Sequence, residues 1–301
     1  MAQTSKTIKR RIKSVANTRK ITKAMEMVSA SKMRKATQNV LGTRPYAQMS
    51  WKTIRAILEK TEGIEHPLLN EYPDAKKVLI VLFSSDRGLA GAYNAGILRA
   101  VGMKIEALQA EGLEVDVISI GKRGALGLRK YGVNIVGSYE GLSNKPSFDE
   151  ILPSGRDTIE RFRSGDYRHV TLAYTDFVSA LVQIPNIMTL LPLGEPDENL
   201  GETSQTTGEE NDTNDASEYL FEPSPEEVLN HVLPRLVETM VYQALLESAA
   251  SEHSARMVAM KNATEAAGDM LTDLKFTYNR IRQAGITQEI AEISSGKAAL
   301  E

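Results

Sequence analysis

The chain has 301 residues, enough for one large domain or two smaller ones, and a formal net charge of −3. It contains no cysteine, which excludes disulfides, thiol catalysis and cysteine-ligated metals, and its four histidines follow no metal-ligand spacing. No apolar run approaches the ~18 residues that a membrane-spanning helix needs, and the basic N-terminus lacks the apolar core of a signal peptide. We therefore expect a soluble, cytoplasmic protein whose histidines lie on the surface or in a helix seam.

The charge is distributed unevenly along the chain. Residues 1–60 contain fifteen lysines and arginines against two acids, whereas residues 195–227 contain twelve acids and no lysine or arginine. Such asymmetry indicates partners that are recognised electrostatically.

The N-terminal region has apolar residues at helical spacing, which predicts a long helix. The stripe consists of Ile8, Ile12, Val15, Ile21, Met25 and Val28, and it continues after a phase shift through Met33, Ala36 and Val40. Gly42 and Pro45 are expected to end or bend this helix before it resumes near Trp51. Dense lysines and arginines fill the other positions and repel one another, so the helix needs a partner helix, an acidic surface or both.

Two interpretations of the basic face remain open. One is nucleic-acid binding, although the stretch has no interleaved aromatic residues and no known DNA- or RNA-binding signature. The other is a solvated basic surface.

The C-terminal region predicts a second long helix. Ser224, Pro225 and Glu227 have the spacing of an N-cap, a first helical position and a capping box. Apolar residues then recur at steps of three and four, which over some 60 residues is typical of a coiled coil. They are Leu229, Val232, Leu236, Met240, Met257, Met260, Leu271, Leu274, Tyr278 and Ile281.

Small and polar residues weaken this second stripe. Ala249, Ala250 and Ala255 bury little area, and Ser251, His253 and Ser254 are expected to interrupt the seam. Within the helix we expect a kink at Pro234 and a second break at Gly285.

The middle of the chain alternates between strands and helices, which indicates a small α/β domain with a largely parallel sheet. The continuous apolar run 78–83 predicts a strand buried on both faces. Further strands are predicted at 115–120, 134–136 and 170–174, with an edge strand at 187–193 and helices at 94–109, 122–131 and 148–162.

A glycine-containing turn, residues 85–91, follows the first strand. It matches neither G-x-G-x-x-G nor a P-loop, so a structural turn and a nucleotide-binding turn both remain open. No catalytic constellation accompanies it: Asp86 has no evident paired base, and Asp176 lies in an unremarkable loop context.

The predicted fold class is α/β: a long antiparallel coiled coil of the two terminal helices plus the small α/β domain. The predicted segments are 1–60 and 223–301 for the coiled-coil helices, 75–193 for a Rossmann-like domain and 194–222 for an acidic flexible loop. That loop is either a regulatory element or a solvated insertion.

Four stretches in chain order resemble the gamma subunit family of F-type ATP synthases. They are IKRRIKSVANTRKITKAMEMVSASKMRKA from Ile8, SDRGLAGAYN from Ser85, ARMVAMKNA from Ala255 and ITQEIAEI from Ile286. The resemblance implies a central rotor stalk without a catalytic, cofactor or metal site of its own. It implies alpha, beta and epsilon subunits and a membrane c-ring as partners, no nucleic acid, and a peripheral position on the cytoplasmic face of the bacterial plasma membrane.

The resemblance also implies which residues contact the alpha/beta hexamer. They are Lys20, Lys23 and Met25 on the first helix and Arg282, Gln283, Thr287 and Glu289 on the last. Core packing is the alternative role for Met25, and a solvated face is the alternative for Lys20 and Lys23. From the residues alone, a nucleotide-binding enzyme and a nucleic-acid-binding protein remain the competing functions.

Overall fold

The computed structural model describes residues 5–60, 66–193 and 224–298. The described residues form five α-helices, five strands and two short 3₁₀ turns. In order they are α1 (Ser5–Lys60), β1 (Lys77–Phe83), α2 (Tyr93–Ala110), β2 (Glu114–Ile120), α3 (Lys122–Leu128), a 3₁₀ turn (Arg129–Tyr131), β3 (Asn134–Tyr139), a 3₁₀ turn (Leu142–Asn144), α4 (Phe148–Arg163), β4 (Tyr167–Phe177), β5 (Gln183–Leu191) and α5 (Pro225–Ala298).

The chain divides into two compact units. The central unit comprises residues 30–256, and the terminal unit comprises residues 1–29 and 257–301. α1 and α5 each contribute residues to both units. The predicted acidic loop, 194–222, lies outside the described residues.

The central unit is built on a five-stranded sheet in the order β3-β2-β1-β4-β5. The pairs β1–β2, β1–β4 and β2–β3 are parallel, and β5 is an antiparallel edge strand on β4. Every predicted strand is present, and the predicted largely parallel sheet is confirmed.

Both faces of the sheet are covered, as the uninterrupted apolar run of β1 predicts. Leu79, Val81 and Phe83 pack in a cluster with residues of α4 and α5, whereas Val78, Ile80 and Leu82 pack in a second cluster with α2. The two-residue period of a strand therefore assigns alternate side chains of β1 to different helices.

α5 begins as the capping signals predict. The backbone N–H of Glu227 donates to the Ser224 hydroxyl at 3.2 Å, and Glu226 and Glu227 lie in the first turn. α5 then continues through Pro234 and Gly285, and α1 continues through Gly42 and Pro45. The helices therefore do not end at Gly42, Pro45 or Gly285, because one residue of low helix preference is outweighed by the long helical stretches on either side. Bends at Gly42, Pro45 and Pro234 stay predictions.

The central part of α5 is buried on all sides. Between Leu236 and Arg256 every residue except Tyr242 is buried. Its large apolar residues up to Leu245 join the cluster beneath the sheet, and Leu246 and Ala250 pack with Ala36 and Val40 of α1. Ala249 and Ala250 are fully buried in this part of α5, and their small side chains let neighbouring elements pack closely against the helix.

In the terminal unit α1 and α5 pack antiparallel. The Thr264 hydroxyl donates to the Thr22 hydroxyl at 2.8 Å, and Gly268 faces the side chain of Arg19. On α5 one series of partly or fully buried positions has the 4-3-4-3 spacing of a heptad seam: Met260, Thr264, Ala267, Leu271, Leu274, Tyr278, Ile281 and Gly285. The coiled-coil prediction is confirmed in this unit.

The predicted stripe on α1 is partly wrong. Ile21 and Val28 are 61% and 57% exposed, whereas Thr22 and Ser29 are buried. Together with Ile8 and Val15, Thr22 and Ser29 form a seven-residue repeat, which keeps one face toward α5. Small hydroxyl residues on this face permit the close approach at Thr264, so the hydrophobicity of Ile21 does not decide which side is buried.

Gly121, between β2 and α3, gives a test of the packing at the carboxyl ends of β1 and β2. It has φ 98° and ψ 140°, a conformation that side chains disfavour, and an added Cβ would meet the Ser84 carbonyl. We expect Gly121→Ala to lower the free energy of unfolding by more than ~2 kcal/mol in urea titrations of the purified chain.

Gly132→Ala is the control, because Gly132 also has a positive φ but open space around its Cβ. Equal losses for the two variants would show that the contact with Ser84 carries no cost.

Candidate functional site

The predicted contact residues on α1 lie in the terminal unit. Lys20 and Lys23 are exposed, and Met25 is half-buried. Lys23 forms an exposed ion pair with Glu26 at 2.9 Å, a pair that contributes little to stability because water screens it. The lysine charges are therefore available to an external partner.

Lys20 and Lys23 border a groove of about 600 Å³ between the two helices. Its lining combines three cationic side chains and one acid with small or apolar ones: Ala16, Arg19, Lys20, Lys23, Ala24, Met27, Thr264, Glu265 and Leu271. A surface with this composition is suited to a protein partner that presents acidic and apolar groups. Met25 does not line the groove.

The predicted contact residues on α5 are exposed positions outside the heptad seam. Arg282, Gln283, Thr287 and Glu289 are all exposed. The Thr287 hydroxyl donates to the Gln283 carbonyl at 3.0 Å, which fixes that side chain on the helix surface. The structure thus brings these four residues together on one stretch of α5, with Lys20, Lys23 and Met25 as a separate group on α1.

Large apolar side chains accompany these charges on the terminal unit. Phe276 is 70% exposed, and Ile286, Ile290 and Ile293 are 48%, 62% and 74% exposed. Exposed apolar surface of this extent is typical of a protein–protein interface. Among the described residues there is no cluster of three or more potential metal-ligating side chains, and none of their helices is long and apolar enough to cross a bilayer.

The glycine turn is filled by groups of its own unit. The Ser85 hydroxyl donates to the Arg87 carbonyl at 2.6 Å, and the Asp86 carboxylate accepts from the backbone N–H groups of Lys122 at 3.3 Å and Gly141 at 3.0 Å. The Asp86 carboxylate thereby occupies the backbone N–H of Lys122, the first residue of α3. A bound phosphate would use a backbone N–H of this kind at the start of a helix. This geometry favours the structural interpretation of the turn.

Arg256 of α5 braces the same turn. Its guanidinium donates to the carbonyls of Arg87 at 3.2 Å and Gly88 at 3.4 Å, and it pairs with Glu252 at 2.7 Å. Burial raises the pKa of Glu252, and the charge of Arg256 opposes that rise. Burial also lowers the pKa of His253, which contacts the Ser143 carbonyl, to about 4.

The polar residues expected to interrupt the α5 seam instead bind the sheet. Ser251 donates to the Thr175 carbonyl at 3.1 Å, and Ser254 donates to the Ala180 carbonyl at 2.6 Å. Ser248 accepts from the Thr175 backbone N–H at 3.3 Å. The seam assignment of Ser251 and Ser254 is therefore wrong: their partners lie in β4 (Thr175) and in the connection that follows it (Ala180), which helical periodicity cannot reveal.

Two further expectations are wrong. His66 is buried, and its Nδ1 accepts from the Leu68 backbone N–H at 3.1 Å, so it is neither a surface nor a seam residue. Asp176 lies within β4 rather than in a loop, and it accepts from the Asn186 side chain at 2.9 Å. The buried acids and arginines of α5 were not singled out from the sequence, although charges inside an alanine- and leucine-rich stretch are a usable signal.

The surroundings of Asp176 favour the protonated, uncharged form of its carboxyl group. Burial raises its pKa to about 6, and the charge of Glu247 adds to the rise, whereas Asn186, Tyr174 and Arg44 oppose it. Because the folded-state pKa lies above the unfolded value, the stability contribution of Asp176 is fully present below the unfolded pKa and is lost as pH rises through about 6.

We therefore predict that Asp176→Asn stabilises the chain at pH 8 by roughly 2–3 kcal/mol and has little effect at pH 4. Thermal unfolding of both proteins across this pH range measures the difference. Asp273→Asn, the same acid-to-amide change at an exposed position, is the control. A stability difference for Asp176→Asn that is the same at both pH values would contradict the assignment.

Known proteins match this sequence over almost its whole length. The sequence profile of the ATP synthase family matches residues 4–300. The ATP synthase gamma chain of Chloroflexus aurantiacus is 44% identical over 298 residues, covering 98% of each chain. That of Xanthomonas oryzae pv. oryzae is 41% identical over 293 residues, covering 97% of this chain and 98% of the relative.

Solved structures agree with the fold. A chain of the Tetrahymena thermophila mitochondrial ATP synthase central stalk/c-ring structure superposes with a TM-score of 0.58 and 26% identity, covering 81% of this chain and 99% of that one. A chain of the Euglena gracilis mitochondrial ATP synthase superposes with a TM-score of 0.68 at 19% identity, covering 98% and 94%, a likeness of fold alone. On this evidence the chain belongs to the ATP synthase gamma chain family.

Proposed function

We propose that this chain is the central rotor-stalk subunit of an F-type, proton-translocating ATP synthase. It transmits rotation between a membrane c-ring and a hexamer of alpha and beta subunits, and so couples proton flow to ATP synthesis. Its family membership over 98% of the chain carries this proposal, together with the antiparallel helices formed by its two ends.

The chain acts mechanically and has no catalytic site of its own. The glycine turn, its best candidate for a nucleotide site, is occupied by Asp86, Ser85 and Arg256, so the turn supports the fold rather than a ligand. The segments divide the work: 1–60 and 223–301 serve as the shaft and 75–193 as the α/β foot, and the acidic residues 194–222 connect the foot to the last segment in sequence.

The partners follow from this role. The shaft contacts alpha and beta subunits, whereas the foot contacts an epsilon subunit and the c-ring. The chain lies peripherally on the cytoplasmic face of the bacterial plasma membrane and associates with the membrane only through the complex.

The exposed surface of the terminal unit suits a rotor. A shaft that turns against three equivalent stator positions must not adhere strongly to one of them, and adhesion grows by roughly 25 cal/mol per Å² of apolar surface buried. Here exposed apolar side chains such as Phe276 and Ile290 lie among charged ones such as Arg282 and Glu289. Contacts of this kind depend on orientation without fixing it.

Reconstitution tests the proposal. The purified chain is mixed with alpha and beta subunits of the same source, and assembly and ATP hydrolysis are measured. We expect one copy of the chain per six partner subunits, and hydrolysis that depends on its terminal helices. A chain that stays alone, or binds nucleotide or nucleic acid with useful affinity instead, would overturn the proposal.

The predicted contacts have a test of their own. We expect Arg282→Ala combined with Gln283→Ala to slow coupled turnover in the assembled complex, because the shaft loses a charge and a hydrogen-bonding group that face the stator. The double variant Asn279→Ala and Arg280→Ala, at exposed neighbouring positions, is the matched control. Unchanged hydrolysis and synthesis rates for the first pair would remove Arg282 and Gln283 from the contact set.

A further inference from the structure

A buried ion pair joins three elements of the central unit. Arg44 of α1 makes two parallel hydrogen bonds to Glu247 of α5, from Nε to Oε1 at 2.8 Å and from Nη2 to Oε2 at 2.9 Å. The backbone of Phe177, the last residue of β4, completes the group: its N–H donates to Glu247 at 3.1 Å, and its carbonyl accepts from Arg44 at 3.0 Å. We call these three residues the junction.

The polar groups of the junction are closely matched. The Glu247 side chain has no exposed surface, and both of its oxygens accept two hydrogen bonds, including one from Gln243 at 3.0 Å. Gln243 in turn accepts from the Thr43 hydroxyl at 2.7 Å, which adds a second bond between α1 and α5. A bidentate arginine–carboxylate pair of this kind fixes orientation as well as distance.

Apolar packing around the junction lacks that directional property. The Phe177 ring packs with Ala36, Val40, Leu246 and Ala250, small or aliphatic groups that tolerate sliding of one helix past another. The junction therefore determines the register of α1, α5 and β4, and the neighbouring Ser248 and Ser251 extend the same attachment along β4.

Two other ion pairs of α5 in this unit have solvent-exposed arginines, unlike the buried Arg256–Glu252 pair. Arg156 reaches Glu238 at 3.5 Å with 67% of its side chain exposed, and Arg235 reaches the same carboxylate at 3.3 Å with 56% exposed. Exposed pairs such as these contribute little and are screened by salt. Arg156 therefore provides a matched control for Arg44.

We propose that Arg44 and Glu247 are positioning residues for rotary coupling: they hold the end of β4 against both long helices, so that torque passes between the helices and the sheet without slip. This inference rests on the proposed rotor function. It assigns to the junction a consequence that ordinary destabilisation does not have, namely hydrolysis that continues while proton transport fails.

The experiment uses the complete complex in inverted membrane vesicles, with ATP hydrolysis and ATP-driven proton uptake measured on the same preparation. Glu247→Gln keeps the shape but removes the charge, and Arg44→Lys keeps the charge but loses the planar fork. For both variants we expect a several-fold fall in protons taken up per ATP hydrolysed. Arg156→Ala should leave that ratio unchanged.

A covalent rescue separates positioning from stability. The chain has no cysteine, so Thr43→Cys and Gln243→Cys can be introduced into the Glu247→Gln chain and bridged by a short bis-thiol reagent. Bridging should restore the ratio of proton uptake to hydrolysis, because it replaces the lost connection between α1 and α5.

The outcomes are distinguishable. Normal ratios in Glu247→Gln and Arg44→Lys complexes would overturn the inference and leave the rotor function intact, and so would a lowered ratio that bridging fails to restore. If Glu247→Gln does not assemble, Arg44→Lys with the same bridge decides. Failure of the unmodified chain to assemble would count against the proposed function instead.

Discussion

A helix buried on every side must find partners for its polar groups inside the protein, and α5 between Leu236 and Arg256 is such a helix. The central unit is arranged around this constraint. One side of α5 supplies leucines and valines to the core beneath the sheet, another packs on α1, and its buried polar side chains bind β4 and the glycine turn. Each polar bond is directional, so the same contacts that satisfy α5 also fix its register against the sheet.

This constraint connects the fold to the function. α5 is one continuous helix from Pro225 to Ala298, and it contributes to the core of the central unit and to the heptad seam of the terminal unit. A stalk needs such an element, because an unbroken helix transmits rotation and a flexible link does not. In the terminal unit much of the described surface of α5 is exposed, and we propose that this surface contacts the alpha and beta subunits.

How much of this could be predicted from the sequence differs by feature. The strands were predictable because β1 is a continuous apolar run and because the helices between the strands have apolar residues at helical spacing. The seam of α1 was only partly predictable: Ile21 is more hydrophobic than Thr22, yet Thr22 is the residue that meets Thr264. Periodicity ranks residues by hydrophobicity, whereas a close helix pair also selects by size and by hydrogen bonding.

The site divides in the same way. Lys20, Lys23, Met25, Arg282, Gln283, Thr287 and Glu289 came from a resemblance, and their exposure, complete except for Met25, suits a contact role that only a partner can test. The contacts by which Arg44, Glu247 and Arg256 join different elements were not predictable, because these partners lie 70 to 203 residues away along the chain. Only the folded structure brings such distant groups within hydrogen-bonding distance.

Observation of rotation tests the central claim most directly. The absence of cysteine permits a single probe at the exposed position Glu111→Cys on the central unit, with the alpha and beta subunits fixed to a surface. We predict that ATP drives the probe in one direction, with three dwell orientations per turn that reflect three equivalent stator positions. Hydrolysis by the assembled complex while the probe remains stationary would contradict the account.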